Sequence, residues 1–395
     1  MKRLTVWSVT FVTVLIFVLS VSGPRALQAA EPIKIGFIFD LTGFLAPIGQ
    51  DNKQGALIAL EQIGNQLMGR PIESIMEDGG TNVNTAMDKA RKLAEVDKVR
   101  VIVGPIFGAS QQAMGGYADK VPIPVITIAP SQNVEVLKNN WSFLAHGTCE
   151  SSGYPMGLYA AEKLGYKTAT TLASDFVAGH EFMAGFIKGF ESKGGKIIQS
   201  QWSPPGTKDF VPFLTAAKQA DCLVTWWPGA EAFSGFSQYK ELNIKMPLIQ
   251  PADGGMTANP AVNKKLGNGI IGVYTPVTYS HVASTPGNKE FVEQYIKKFG
   301  GGPGANAGGS YISTQIALDA IKRAGNDSSP QALKKALLEL KMDTVHGLVT
   351  FNKDRIATYT CPIVKIDNNL NPQIVAEYRI MAEKVGDKVV TSIAK

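Results

Sequence analysis

The sequence predicts an α/β protein of two doubly wound lobes, each a parallel sheet with helices on both faces. Three observations predict it. Short β-branched runs alternate with amphipathic stretches from residue 31 onward. The alternation restarts after a polar, glycine-containing junction, HGTCESSG at 146–153. A chain of 395 residues also exceeds what one core usually organises. Strands that alternate with helices imply parallel pairing and a sheet covered on both sides.

In the first series, IKIGFIF (33–39) precedes a helical stretch at 50–66, IESIME (72–77) precedes one at 84–96, RVIVG (100–104) precedes one at 109–120, and PVITIA (124–129) closes the run. The second series opens with a helix at 154–164, followed by TATTLA (168–173), a helix at 178–193, KIIQSQ (196–201) and a helix at 209–219. It continues with DCLVTW (221–226), a helix at 230–242, MPLIQ (246–250) and GIIGVYTPV (269–277). Three more segments, at 289–299, 309–324 and 330–340, are helical by period and composition. The end is β-rich, with GLVTF (347–351), TCPIVKID (360–367) and QIVAEYRIM (373–381).

The three late helices have no sheet of their own, so they must pack on one of the earlier lobes, and the terminal strands on the other or across both. The chain then crosses between lobes three times, near 145–148, 274–278 and 350–353. This assigns 31–145 with 278–350 to an N-terminal lobe and 146–277 with 351–395 to a C-terminal lobe. Several crossings make a hinge that opens and closes but resists sliding.

Residues 1–30 read as a secretory signal peptide: Lys2 and Arg3 start it, an apolar run follows to about Val21, and Ala26, Ala29 and Ala30 supply small residues for cleavage. Removal would leave a soluble periplasmic chain with no lasting membrane insertion. It would take three basic residues (Lys2, Arg3, Arg25) and no acidic one, lowering the formal net charge from +6 to +3. The remaining basic residues are dispersed, so no footprint for nucleic acid exists. Three cysteines, Cys149, Cys222 and Cys361, allow one bridge at most; a Cys149–Cys361 pair and three buried thiols both remain open.

Catalytic and cofactor signatures are missing. Gly267, Gly269 and Gly272 spell G-x-G-x-x-G but precede a strand, whereas dinucleotide binding needs a strand before and a helix after. Gly302, Gly304 and Ala307 match loosely behind a helix and include Pro303. His180-Glu181 begins like a zincin helix, yet Ala184 stands where the second imidazole belongs. Neither a nucleophile elbow nor a phosphate-binding loop occurs. Of four dispersed histidines, His146 alone falls at a predicted crossing. No enzyme, metal or cofactor is implied.

Candidate binding residues lie at the carboxyl ends of strands, where open α/β sheets hold ligands. Gly108, Ala109 and Ser110 lead from a turn into a helix, so free amide N–H groups suit a carboxylate, and Ser110 is also placed to cap that helix. The loop with Pro130, Ser131 and Gln132 stands beside it, and apolar Phe44, Leu45 and Ile48 occupy a loop that would ordinarily be polar. In the second lobe the candidates are Phe176, Ala178, Trp226, Trp227, Pro228 and Gly229. Asp253 joins them as a partner for an ammonium or as a turn former. Adjacent tryptophans on a strand face opposite ways, so one can be core while the other stacks on a flat ligand.

The ordered set IKIGFIFDLTGFLAPIGQ, EDGGTN, VIVGPIFGAS, PVITIAPSQ, TLASDFVAGHEF, GTKDFVPFLTAAKQADCLV and VHGLVTFNKD resembles the leucine/isoleucine/valine-binding family of ABC-importer solute receptors, the type I periplasmic binding proteins. The resemblance spans nearly the whole chain after residue 30. It implies a monomeric clamshell that binds a small molecule between its lobes, leaves it unaltered and delivers it to the membrane permease of an ABC importer. An exported sensor that passes its closed state to a signalling partner is the alternative. The resemblance also implies a ligand carboxylate held at Gly108 to Ser110 and Pro130 to Gln132, an aromatic cover at Ala178, a second aromatic near Trp227 to Ala230, and an acid for the ammonium at Ala252 or Asp253. Three positions depart from that pattern: a serine is replaced by Gly108, a tyrosine by Ala178 and a threonine by Gln132. With Trp226 and Trp227 adding flat apolar surface, these departures lead to the expectation of an apolar or aromatic carboxylate, beside the branched-chain amino acid of the family pattern.

Overall fold

The computed structural model describes residues 31–133, 138–253 and 259–394; the expected signal peptide lies outside them. The first half builds a sheet in the order β2-β3-β1-β4-β5-β6. Its elements are β1 (Ile33–Phe39), α1 (Ala46–Gln62), β2 (Gln66–Leu67), β3 (Arg70–Asp78), α2 (Val83–Arg91), β4 (Ile102–Val103), α3 (Gly108–Ala118), β5 (Val125–Ile126) and β6 (Ser142–Phe143). All of its pairings are parallel except β2 with β3. Central β1 is almost wholly buried, as a strand covered on both faces must be.

The second half follows as α4 (Cys149–Glu162), β7 (Thr168–Ser174), α5 (Val177–Glu191), β8 (Lys196–Ser203), α6 (Val211–Thr215), β9 (Cys222–Trp226), α7 (Glu231–Glu241), β10 (Leu248–Ile249), α8 (Pro260–Leu266) and β11 (Tyr274–Pro276). The chain closes with α9 (Asn288–Phe299), α10 (Ala305–Ala324), α11 (Pro330–Leu338), β12 (Lys341–Thr344), β13 (Gly347–Phe351), β14 (Ala357–Ile366), β15 (Pro372–Val385) and β16 (Lys388–Ile393). The second sheet runs β12-β13-β14-β11-β10-β9-β7-β8, with β15 on β14 and β16 on β15. Strands β7 to β11 pair in parallel, and β14 joins β11 antiparallel.

The late helices pack where the alternation argument requires. Tyr279, Phe291, Tyr311, Ile312 and Leu337 share one core with Phe37, Phe39 and Phe143 of the first sheet. Val349 and Phe351 of β13 enter that same core while their strand is hydrogen-bonded into the second sheet. The terminal strands therefore span both halves. Segments that pass between the halves also bond to one another: Leu144 pairs with Ile356, the Val277 N–H donates to the Pro362 carbonyl, and Ser131 pairs with Thr148. His146 sits in this junction, its Nε2 within hydrogen-bonding distance of the Gly309 carbonyl and Ser313 Oγ, with its ring edge-on to His346. Burial pushes the His146 pKa down to about 4, so the ring is neutral at neutral pH.

Several expected elements differ. The strand expected over 269–277 is only Tyr274–Pro276, because Gly267–Ile270 forms a 3-10 turn and Gly272 takes a left-handed φ of 82°. The helix expected over 209–219 is a single turn; the Gln199 carboxamide bonds the Ala216 carbonyl and the Lys218 N–H, fixing that stretch as a loop. Helix α10 starts at Ala305, four residues before the expected 309. Strands β2, β6, β12 and β16 were not anticipated, being short or at sheet edges. All three cysteines are buried free thiols. Among the described residues no helix is long and apolar enough to cross a membrane.

Helices α4 and α5 meet backbone to backbone. A Cβ at Gly153 or Gly157 would lie 2.2 or 2.1 Å from the carbonyl of Phe182 or Phe186, and one at Gly185 would lie 2.0 Å from that of Glu150. Glycine at these positions is a packing requirement. Gly157→Leu should lower stability by about 1–3 kcal/mol or more through overpacking, read as a drop in the urea midpoint with an unchanged slope. Gly165→Ala, at an open turn of φ 73°, is the contrasting substitution, acting through backbone strain alone.

Candidate functional site

A cavity of about 110 Å³ lies between the two halves. At about 10–15 Å³ per water-sized site, this is room for roughly seven to eleven such sites, the scale of a small organic molecule. Leu45 and Ile48 reach it from α1 and the loop before it, Ile106, Phe107 and Gly108 from the turn after β4, and Pro130 and Gln132 from the loop after β5. The second half supplies Phe176, Ala178 and Phe182 around the start of α5, and Trp226, Pro228 and Asp253 after β9 and β10. The floor consists of Pro276, Thr278 and the first residues of α10.

Local sequence explains the geometry of the first half's wall. Gly104 holds φ +101°, and a Cβ there would lie 2.1 Å from the Ile38 carbonyl, so only glycine lets the turn pass over β1. The buried Asp40 carboxylate then accepts the N–H groups of Ile106, Phe107 and Thr81, pinning the turn just ahead of α3. A Cβ on Gly108 would meet Gln132 Nε2 at 2.4 Å, so the long carboxamide fills the space that the glycine leaves. Gln111, one turn on, donates from Nε2 to the Pro105 carbonyl and closes the same turn.

Several helices start at this cavity, and their caps differ. Thr148 and Ser151 cap α4 reciprocally. Asp51, accepting from Tyr295 OH at 2.8 Å and from the Ala307 N–H at 3.1 Å, serves the start of α10. Burial pushes the Asp51 pKa up to about 6, and the charge of Asp253 acts in the same direction. Helices α3 and α5, one from each half, have no side-chain cap, and their first residues line the cavity through Gly108 and Ala178. Unpaired N–H groups and the positive ends of two helices therefore face one space. No lysine, arginine or histidine is among the lining residues.

Aromatic rings bridge the halves. Phe44 lies edge-on to Phe107 at 6.1 Å and to Phe176 at 6.4 Å; Phe176 and Phe182 each contact Trp226, at 5.3 and 5.0 Å. This is a closed arrangement.

Ten of the expected residues line the cavity: Leu45, Ile48, Gly108, Pro130, Gln132, Phe176, Ala178, Trp226, Pro228 and Asp253. Six do not. Phe44 is a rim residue, 38% exposed. Ala109 faces away on the first turn of α3. Ser110 does not cap α3, because Phe107 is the cap position and Ser110 is buried inside the helix. Ser131 spends its backbone on the pairing with Thr148 and Cys149. Gly229 takes φ 56° in the turn beneath Phe44. Trp227 is fully buried between Phe210 and Phe236 on the opposite face of the sheet from Trp226, as strand alternation demands. Sequence reasoning missed Phe182, Gln111, Cys149, Ser152, Thr278 and Asn306. The first two had a usable signal, lying four residues after Ala178 and three after Gly108 on the same helix faces.

A sequence profile described as periplasmic binding protein matches residues 32–371. The chain belongs to the periplasmic binding protein family. Its architecture is that of the type I members. This binding protein is 24% identical, over 334 residues, to the leucine-, isoleucine-, valine-, threonine- and alanine-binding protein of Pseudomonas aeruginosa, covering 82% of this chain and 87% of that one. An ABC transporter substrate-binding protein from Sphaerobacter thermophilus superposes with a TM-score of 0.81 at 26% identity, covering 88% of this chain and 98% of that one. A solute-binding protein of an ABC transporter from Rhodopseudomonas palustris BisB5, in complex with 3,4-dihydroxybenzoic acid, does so with a TM-score of 0.78 at 25% identity, covering 92% and 96%.

The two tryptophans face opposite ways, Trp226 lining the cavity and Trp227 filling the core. Trp227→Ala should destabilise the binding protein by about 3–5 kcal/mol through the cavity it opens. Trp227→Phe should restore most of that loss, with both variants read by chemical denaturation.

Proposed function

We propose that this chain is the solute-binding component of an ABC importer, exported to the periplasm with loss of residues 1–30, and that it carries a small apolar or aromatic carboxylate. The observation that carries the reading is the ring-lined cavity between the halves onto which the starts of α3 and α5 open, with no basic side chain among the described residues that line it. Such a site favours an acceptor group at the amides of α3 and a flat or apolar body against Phe176, Phe182 and Trp226. The Sphaerobacter and Rhodopseudomonas structures, an ABC substrate-binding protein and an aromatic-acid complex, support it. Each 100 Å² of apolar ligand surface buried contributes about 2.5 kcal/mol, with the amides setting orientation. The ligand touches both lobes only when they are shut, so its differential affinity shifts the population toward the form that the permease recognises. It leaves unchanged. The lobes are assigned as 31–145 with 278–350 and 146–277 with 351–395, hinged at the three crossings.

Asp253 in the cavity wall favours a second reading, a branched-chain amino acid whose ammonium faces that carboxylate, as the Pseudomonas relative's name suggests.

A thermal-shift and calorimetric comparison of benzoate, phenylacetate, leucine and valine decides between them. At one hundred times its dissociation constant, a ligand adds about 2.7 kcal/mol of stability; benzoate-type acids should do so. Stabilisation by leucine or valine without benzoate overturns the preferred reading. Trp226→Leu should weaken an aromatic ligand by up to about tenfold, the loss of one stacking contact, and should leave an aliphatic one nearly unaffected.

A further inference from the structure

Outside the cavity, one carboxyl of the second lobe is bonded directly to the first. Glu181, one turn after Ala178 on α5, accepts the backbone N–H of Asn133 at 3.1 Å on Oε1 and 3.2 Å on Oε2. Asn133 follows the cavity residue Gln132 and stands two residues beyond Ser131, where the loop is tied to the crossing segment at Thr148 and Cys149. Asn133 Nδ2 also donates to Glu150 Oε2 at 2.9 Å, and Glu150 Oε1 is paired with Lys188 Nζ at 2.8 Å. Among the described residues, the groups facing Glu181 are thus the Asn133 amide from the loop, Glu150 and the Cys149 thiol from α4, and, through Glu150, Lys188 of its own helix. His180 beside it is engaged elsewhere, with Asp175 at 2.8 Å and the Trp202 ring at 3.7 Å.

We propose that Glu181 is a positioning residue of the binding site, holding the Gln132–Asn133 loop of one lobe against α5 of the other, and that it takes up a proton as the lobes close. The inference rests on the two-lobed ligand-binding reading and deepens it.

Closing moves the carboxyl from water into a space that offers it one amide hydrogen bond and no cation of its own. Burial is the largest effect and raises the pKa, the nearby charge of Glu150 adds to it, and the Asn133 N–H opposes both; the outcome is about 7. With the lobes apart, the hydrated carboxyl returns toward about 4.3. The closed form therefore binds the extra proton between those limits. Closure is favoured at low pH and loses that advantage as pH rises through about 7, at a slope of up to about tenfold per pH unit. A ligand carboxylate titrates near 4 and is already ionised across this window. Of the other buried carboxyls, Asp40, Asp51 and Glu231 have polar partners within their own half: Thr81, Ile106 and Phe107 for the first, Tyr295 and Ala307 for the second, Ser174 and Gly206 for the third. Glutamine at 181 can still accept the Asn133 N–H but cannot titrate.

The test has two arms on the chain without residues 1–30. In ¹H–¹⁵N spectra the Asn133 amide of the closed form, enriched by whichever compound binds, should shift with a midpoint near pH 7, and that titration should vanish in Glu181→Gln. A midpoint in the ordinary glutamate range, or a titration that survives in the variant, overturns the proposal. In calorimetry with benzoate and with leucine, affinity should weaken several-fold between pH 6 and 8.5 in the parent and stay flat in Glu181→Gln; a flat parent or a sloping variant overturns it as well. If neither compound binds, the ligand reading falls, and the amide titration alone decides the role of Glu181.

Discussion

The structure depends on the hydrogen bonding of its crossing segments to one another. Leu144 on Ile356 and Ser131 on Thr148 join the two halves by backbone pairs and form a seam, and Val277 on Pro362 extends it within the second half. Everything functional is placed with respect to it. The loop with Gln132 leaves the seam on one side and α4 leaves it on the other, and the cavity is the space between them. Because β13 is bonded into the second sheet while Val349 and Phe351 fill the first core, the seam cannot be pulled apart without opening a hydrophobic core.

The cavity achieves anion compatibility without cations. Asp40 organises the turn ahead of α3 but withdraws its own charge from the cavity, accepting three backbone N–H groups behind the wall. Asp51 does the same at α10, and α1, which also lacks a side-chain cap, gives its Ala46 and Ile48 N–H groups to the Gly43 and Leu45 carbonyls, leaving the starts of α3 and α5 open. A carboxylate placed there would be stabilised by peptide dipoles without the desolvation that a buried lysine or arginine would cost. Rings from both halves then set the shape of the remainder.

Much of this was legible in the sequence because it follows from periodicity. Alternating runs gave two parallel sheets; strand parity required Trp226 and Trp227 to part company; and the rule that ligands bind at the carboxyl ends of strands placed Gly108, Gln132 and Ala178 together. What escaped has a physical cause in each case. Ser110 looked like a cap because caps are read from residue type, whereas Phe107 ends the turn as Asp40, far away in sequence, dictates. Helix α10 starts early because Asp51 satisfies the Ala307 N–H from 256 residues away. Phe182 was legible after all, one turn past Ala178 on the same face of α5, whereas Thr278 and Asn306 reach the cavity from segments distant in sequence.

That pressing has a mechanical meaning. Helix α4 begins at the seam, and α5 carries Ala178 and Phe182 to the cavity and Glu181 to the loop at Asn133. With glycines interlocked along their line of contact and carbonyls nearly touching the opposing Cα atoms, the two rods have no slack between them. They act as one lever. A rotation of α4 about the seam would have to carry α5 with it.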